Sequence, residues 1–130
     1  MFAHRRFVLE SVFPNLPQVR IVPRNGLLYL SGQLPVNSDG TIPDGIEAQT
    51  QLVFDKIDLL LTEAGSSRQQ VLQMRVYVSD GDLWGKVNEV YAQFFGDHKP
   101  ARAVVPTRDL HYSCLIEVEG IAFVESSVKH

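Results

Sequence analysis

The sequence predicts an α+β domain, a mixed β-sheet with two helices on one face. Two stretches repeat apolar residues at helical spacing, the stretches around them alternate at strand spacing, and an Asn-Gly pair separates the first two apolar runs. At 130 residues the chain suits one domain over 1–130, large enough to bury roughly two-thirds of the surface its unfolded form exposes.

The runs VRIVP and LLYLSG flank Asn25-Gly26, a pair that readily takes the positive φ of a tight turn, and predict a first hairpin. The turn-rich segment LPVNSDGTIPDG follows, and Asp44 with Glu47 three positions on reads as a capping box opening helix one. Within it Val53, Ile57, Leu60, Leu61 and Ala64 form one apolar stripe, and Gly65 supplies the stop. The run QQVLQMRVYVSD then sets Leu72, Met74, Val76 and Val78 against Gln73, Arg75 and Tyr77, the pattern of a strand with two unlike faces. Helix two follows from Leu83, Trp84, Val87, Val90, Tyr91, Phe94 and Phe95. In CLIEVEGIAFV, Cys114, Ile116, Val118, Gly120 and Ala122 fall on one side and Leu115, Glu117, Glu119, Ile121 and Phe123 on the other.

The order ββαβαββ places both helices over the more apolar sheet face. The opposite face carries Gln73, Arg75, Tyr77, Glu117 and Glu119 beside Leu115, Ile121 and Phe123. It is too apolar for water and too charged for a core, so it is expected to close against other copies of the chain.

Composition narrows the function. A formal charge of −3 disfavours general nucleic-acid binding, which relies on Lys and Arg to neutralise phosphates. No apolar run approaches the ~18 residues of a spanning helix, and the N-terminus MFAHRRFVLESVF lacks the continuous apolar stretch of a secretion signal. The single cysteine, Cys114, has no partner for an internal disulfide and lies on the apolar side of its strand, so it reads as a small core residue in a cytoplasmic protein. His4, His98, His111 and His130 lack metal-ligand spacing, so no metal site is indicated, and no phosphate-binding glycine loop occurs.

In PARAVV the alternation groups Arg102 with Val104, and we expect this pair on the uncovered face with Glu117. Such an arginine and glutamate are either an ion pair between subunits or a carboxylate clamp beside a water-orienting acid. Asn88 is a poor residue for the interior of helix two, and is there either as a solvated position or for a hydrogen bond.

Taken together, LLYLSGQLPV, EAQTQLVFDKIDLLLTEAGSS, VLQMRVYVSD, VNEVYAQFFGDHKPARAVV and LIEVEGIA resemble, in this order and spacing, the RidA/YjgF family of imine deaminases from about Arg20 to Phe123. The resemblance implies a chorismate-mutase-like subunit, assembly as a homotrimeric barrel, and clefts at the subunit interfaces. It implies hydrolysis of 2-imino or enamine acids, such as 2-aminoacrylate and 2-iminopropionate, to 2-oxo acids and ammonia without a cofactor. Arg102 of P-A-R would hold the substrate carboxylate and Glu117 would place the water. Ser31, Gly32, Asn88 and Val104 would line the pocket. The chain departs from the family pattern in three places: no tyrosine near Gln18, Val104 where cysteine is frequent, and Leu110-His111 where Leu-Pro is usual. The alternatives are a binding or sensing protein for small carboxylates on the same fold and, less in keeping with the acidic balance, RNA cleavage.

Overall fold

The computed structural model describes residues 19–21 and 26–125. The strands and helices run β1 (Val19–Ile21), β2 (Leu27–Gln33), α1 (Ile46–Glu63), β3 (Val71–Val78), α2 (Trp84–Phe95), β4 (Ala101–Pro106) and β5 (Ile116–Phe123). One five-stranded sheet has the order β1-β2-β5-β3-β4. The pairings β1–β2, β2–β5 and β3–β5 are antiparallel and β3–β4 is parallel, with α2 as the crossover, so the sheet is mixed as expected.

The expected hairpin is present, with Val19 opposite Leu30 and Ile21 opposite Leu28; its turn, including Asn25, lies outside the described residues. Both helices pack on one sheet face. Val53, Ile57, Leu60, Leu61 and Ala64 of the α1 stripe are fully buried with Phe54, against Met74, Val76 and Val78 of β3 and Ile116, Val118 and Ala122 of β5. Phe54 sits among α2 aromatics, its ring centroid 4.9 Å from Phe94, 5.7 Å from Tyr91 and 6.0 Å from Phe95.

Helix α1 ends as the glycine predicts. Gly65 takes φ 85 while its N–H donates to the Thr62 carbonyl and the Ser66 N–H donates to that of Leu61, a paired closure needing a left-handed residue. Its start differs from expectation. Gly45, not Asp44, is the N-cap and no side chain caps the helix, so the capping box does not form. Gln49 instead ties the incoming loop, its Nε2 donating to the Pro43 carbonyl at 2.9 Å and its Oε1 accepting from the Leu115 N–H at 2.8 Å.

The alternation along β3 is also broken once. Val71 pairs with Ala122 and Gln73 with Ile121, a register shift that leaves Val71 buried and Leu72 44% exposed. Leu72 therefore departs from the predicted apolar face, because a bulge changes the side-chain parity of the residues before it. Beyond the shift, Met74, Val76 and Val78 face the helices as expected.

Candidate functional site

The residues singled out in the sequence lie in two groups on opposite faces of the sheet. The first surrounds Arg102. In the parallel β3–β4 pair, Met74 is registered with Arg102 and Val76 with Val104, so both β4 residues share the helix-covered face with the core. The expectation that Arg102 shares the uncovered face with Glu117 is therefore corrected. Alternation relates residues within one strand, whereas the face is set by the register with β3, which is non-local. At the sheet edge this side is wet enough for a guanidinium, and Arg102 is exposed.

Helix α2 supplies the surroundings. Arg102 Nη1 donates to Asn88 Oδ1 at 3.1 Å, and the guanidinium carbon lies 4.6 Å from the Trp84 ring centroid and 4.7 Å from that of Tyr91. Residues 84, 88 and 91 follow one another at i, i+4 and i+7, a spacing that puts them on one helix face. The mid-helix asparagine thus has a hydrogen-bonding reason. Lying over two rings restricts the arginine while leaving other N–H groups for a ligand. Val104 follows on the same face and packs against the main core. Trp84 and Tyr91 enter the sequence reading only as apolar positions that mark helix two; their shared face with Asn88 is the signal for this second role.

The second group surrounds Glu117 on the opposite face. Leu30 pairs with Gly120 and Gln33 with Val118, so Ser31 and Gly32 together oppose Glu119, a β-bulge in the SGQ segment. The bulge brings the Gly32 backbone against the Glu117 side chain so closely that a Cβ at position 32 would overlap Oε2. Burial raises the Glu117 carboxyl above its ordinary pKa; His111 opposes this shift and Glu119 adds to it. A glutamate so placed can hold or pass a proton nearer neutral pH than an exposed one.

Glu119 is occupied differently. Tyr77 Oη donates to its Oε2 at 2.5 Å and Arg75 lies 3.6 Å away, which makes it part of a cross-strand network. His111 belongs to a 3-10 turn, His111–Ser113, in which Tyr112 and Ser113 take φ 60 and 57. Two consecutive side-chain-bearing residues in the left-handed region are costly, and they stand in the loop whose His111 acts on the Glu117 carboxyl.

Cys114 is 1% exposed, and burial raises its thiol pKa against the influence of Lys56, as suits a core residue. Lys56, its own pKa lowered by burial, donates to the Leu34 and Val36 carbonyls at 2.7 and 3.1 Å and pins the segment after β2. Among the described residues no group of three or more His, Cys, Asp or Glu could hold a metal ion, and no helix is long and apolar enough to cross a membrane. The position near Gln18 lies outside the described residues.

Residues 11–124 match the family model described as Endoribonuclease L-PSP. A RutC family protein of Pyrococcus horikoshii is 38% identical over 121 residues, covering 92% of this chain and 96% of the relative. TdcF of Escherichia coli, provisionally named a reactive intermediate deaminase, is 32% identical over 82% of this chain and 85% of its own. A TdcF crystal structure with bound serine superposes with a TM-score of 0.80 at 29% identity, covering 89% of this chain and 92% of TdcF. RidA from the Antarctic bacterium Psychrobacter superposes with a TM-score of 0.82 at 27% identity, covering 88% and 93%. Extent, identity and fold agree, and the chain belongs to the RidA/YjgF family.

Proposed function

We propose that the chain hydrolyses short-lived 2-imino acids, with their enamine tautomers such as 2-aminoacrylate, to 2-oxo acids and ammonia in the cytoplasm. The observation that carries the reading is a guanidinium held by Asn88 and two aromatic rings, together with a glutamate of raised pKa set against a glycine bulge. The first arrangement suits a carboxylate and the second a water molecule. TdcF was crystallised with serine, itself a small amino acid carrying the carboxylate that Arg102 would hold here.

Because Arg102 and Glu117 occupy opposite sheet faces, one cleft can contain both only if two copies contribute, Arg102 from one and Glu117 from the next. A homotrimeric barrel closed by the face of Arg75, Tyr77, Glu117 and Glu119 provides three such clefts. In each, Arg102 binds the substrate carboxylate bidentately, Asn88 and the two rings keep the guanidinium in place, Val104 borders the reacting carbon, and Ser31 with the Gly32 backbone completes the opposite wall.

The protonated imine carbon is electrophilic. Glu117 removes a proton as water adds to that carbon, giving a neutral carbinolamine, and returns it to nitrogen. The carboxylate then takes the hydroxyl proton as the C–N bond breaks, the carbonyl forms and ammonia leaves; passing that proton to the departing ammonia, as ammonium, regenerates the glutamate. Positioning and one proton relay are enough for this step, and the proposal requires no cofactor.

The test generates 2-iminopropionate with an amino-acid oxidase and follows its decay with and without the protein. Accelerated decay that disappears in Arg102→Ala is expected; no acceleration across several imino acids would rule the reaction out. A second reading, small-carboxylate binding without turnover, is favoured by the serine in TdcF and predicts saturable binding of 2-oxo acids in a protein inert in that assay.

A further inference from the structure

Beside Arg102 the surface forms a groove of about 460 Å³ between the C-terminal half of α2 and the start of β4. Its wall includes Tyr91, Phe95, His98, Lys99, Pro100 and Arg102. Lys99, Arg102 and His98 are all basic side chains, while among the described residues no carboxylate lines the groove. That bias stands out in a chain whose formal charge is −3. Asp97 lies between Gly96 and His98 in sequence, yet it is not among the lining residues.

The groove is also held in shape. His98 Nε2 lies 2.7 Å from the Val71 carbonyl, and the His98 N–H donates to the Phe95 carbonyl at 3.1 Å, so the α2–β4 connection is tied to β3. Tyr91, 6% exposed, lines the same groove, and its buried hydroxyl has no hydrogen-bond partner among the described residues. With the Arg102 guanidinium carbon 4.7 Å from its ring centroid, Tyr91 holds one of the basic groups against the groove wall.

We propose that this groove is a subsite for a second acidic group, and that the substrates include dicarboxylic 2-imino acids, with the 2-carboxylate on Arg102 and the distal carboxylate directed to Lys99. The proposal rests on the Arg102 clamp of the preceding reading and adds the substrate class. Lys99 is a specificity residue whose charge acts only on substrates long and acidic enough to reach it.

The experiment compares imines made by amino-acid oxidases from glutamate, aspartate and alanine, using wild type, Lys99→Ala and Lys99→Arg. Lys99→Ala should lower kcat/KM for the two acidic imines about five- to tenfold, as loss of one charge-assisted contact does, and leave the alanine-derived imine unchanged. Lys99→Arg should restore most of the loss. An equal effect of Lys99→Ala on all three imines, or none on any, overturns the subsite.

Calorimetry with 2-oxoglutarate and pyruvate separates this proposal from the reaction itself. Tighter, Lys99-dependent binding of 2-oxoglutarate without turnover of any imine would keep the subsite and remove the deaminase reading. Equal binding of the two oxo acids would remove the subsite whatever the kinetics.

Discussion

Arg102 and Glu117 stand on opposite faces of the same sheet, the first registered with buried Met74 and the second paired with Tyr77 on the face that the helices leave open. A site that uses both must be shared between copies, and this separates it from a cleft within one chain. Arg102→Ala and Glu117→Gln should each be inactive alone, whereas co-expression should recover activity. For random mixing in a closed trimer each mixed ring contains one intact site, so recovery to about a quarter of wild type is expected. Imine-decay assays on the co-purified mixture check this, and absence of any recovery would place the chemistry within one subunit.

Glu117 links function to pH-dependent stability. Its raised folded pKa means that the unfolded chain releases the proton first as pH rises. Stability from the buried neutral carboxyl is complete below the ordinary value of 4.5 and is lost as pH rises through the folded pKa. Glu117→Gln should therefore be more stable than wild type at neutral pH, and equal to it well below 4.5, while losing activity. Urea denaturation at the two pH values measures the difference. His111→Gln removes a charge that lowers the Glu117 pKa, so the acidic limb of the rate profile should move upward.

Gly32 has a steric task. A methyl group at that position overlaps the Glu117 carboxylate, so Gly32→Ala must displace the acid or open the bulge. Activity should fall by at least about tenfold, in line with the sensitivity of catalysis to small misplacements. Circular dichroism should remain that of the wild type.

Trp84 is the chain's one tryptophan, and Arg102 lies over its ring. Carboxylate binding at the guanidinium should change its fluorescence, giving a direct titration with pyruvate. Trp84→Phe leaves a weaker cation–π partner and removes the fluorophore, so calorimetry is the comparison: pyruvate binding should weaken about two- to fivefold, and a wild-type affinity would assign Trp84 a packing role only.

Phe54 joins α1 to the aromatic cluster of α2 and is fully buried. Phe54→Ala should cost about 3–5 kcal/mol of stability by chemical denaturation, as deletion of a large core ring does. The Arg102 surroundings should loosen with it, since Tyr91 packs on the same ring.

The sequence by itself determined the element order, the α1 stripe, the glycine stop and the two sides of β5, since each follows from a local period or a local dihedral demand. The family was legible for the same reason, because its motifs are short segments at set spacing. Only the tertiary structure decided which face β4 turns towards α2, where the bulges at Leu72 and at Ser31-Gly32 reset parity, and that Gly45 replaces Asp44 as the cap. Those outcomes depend on strand register and on competing contacts between residues distant in sequence. A period of two shows which residues share a side, but only the neighbouring strand determines what that side meets.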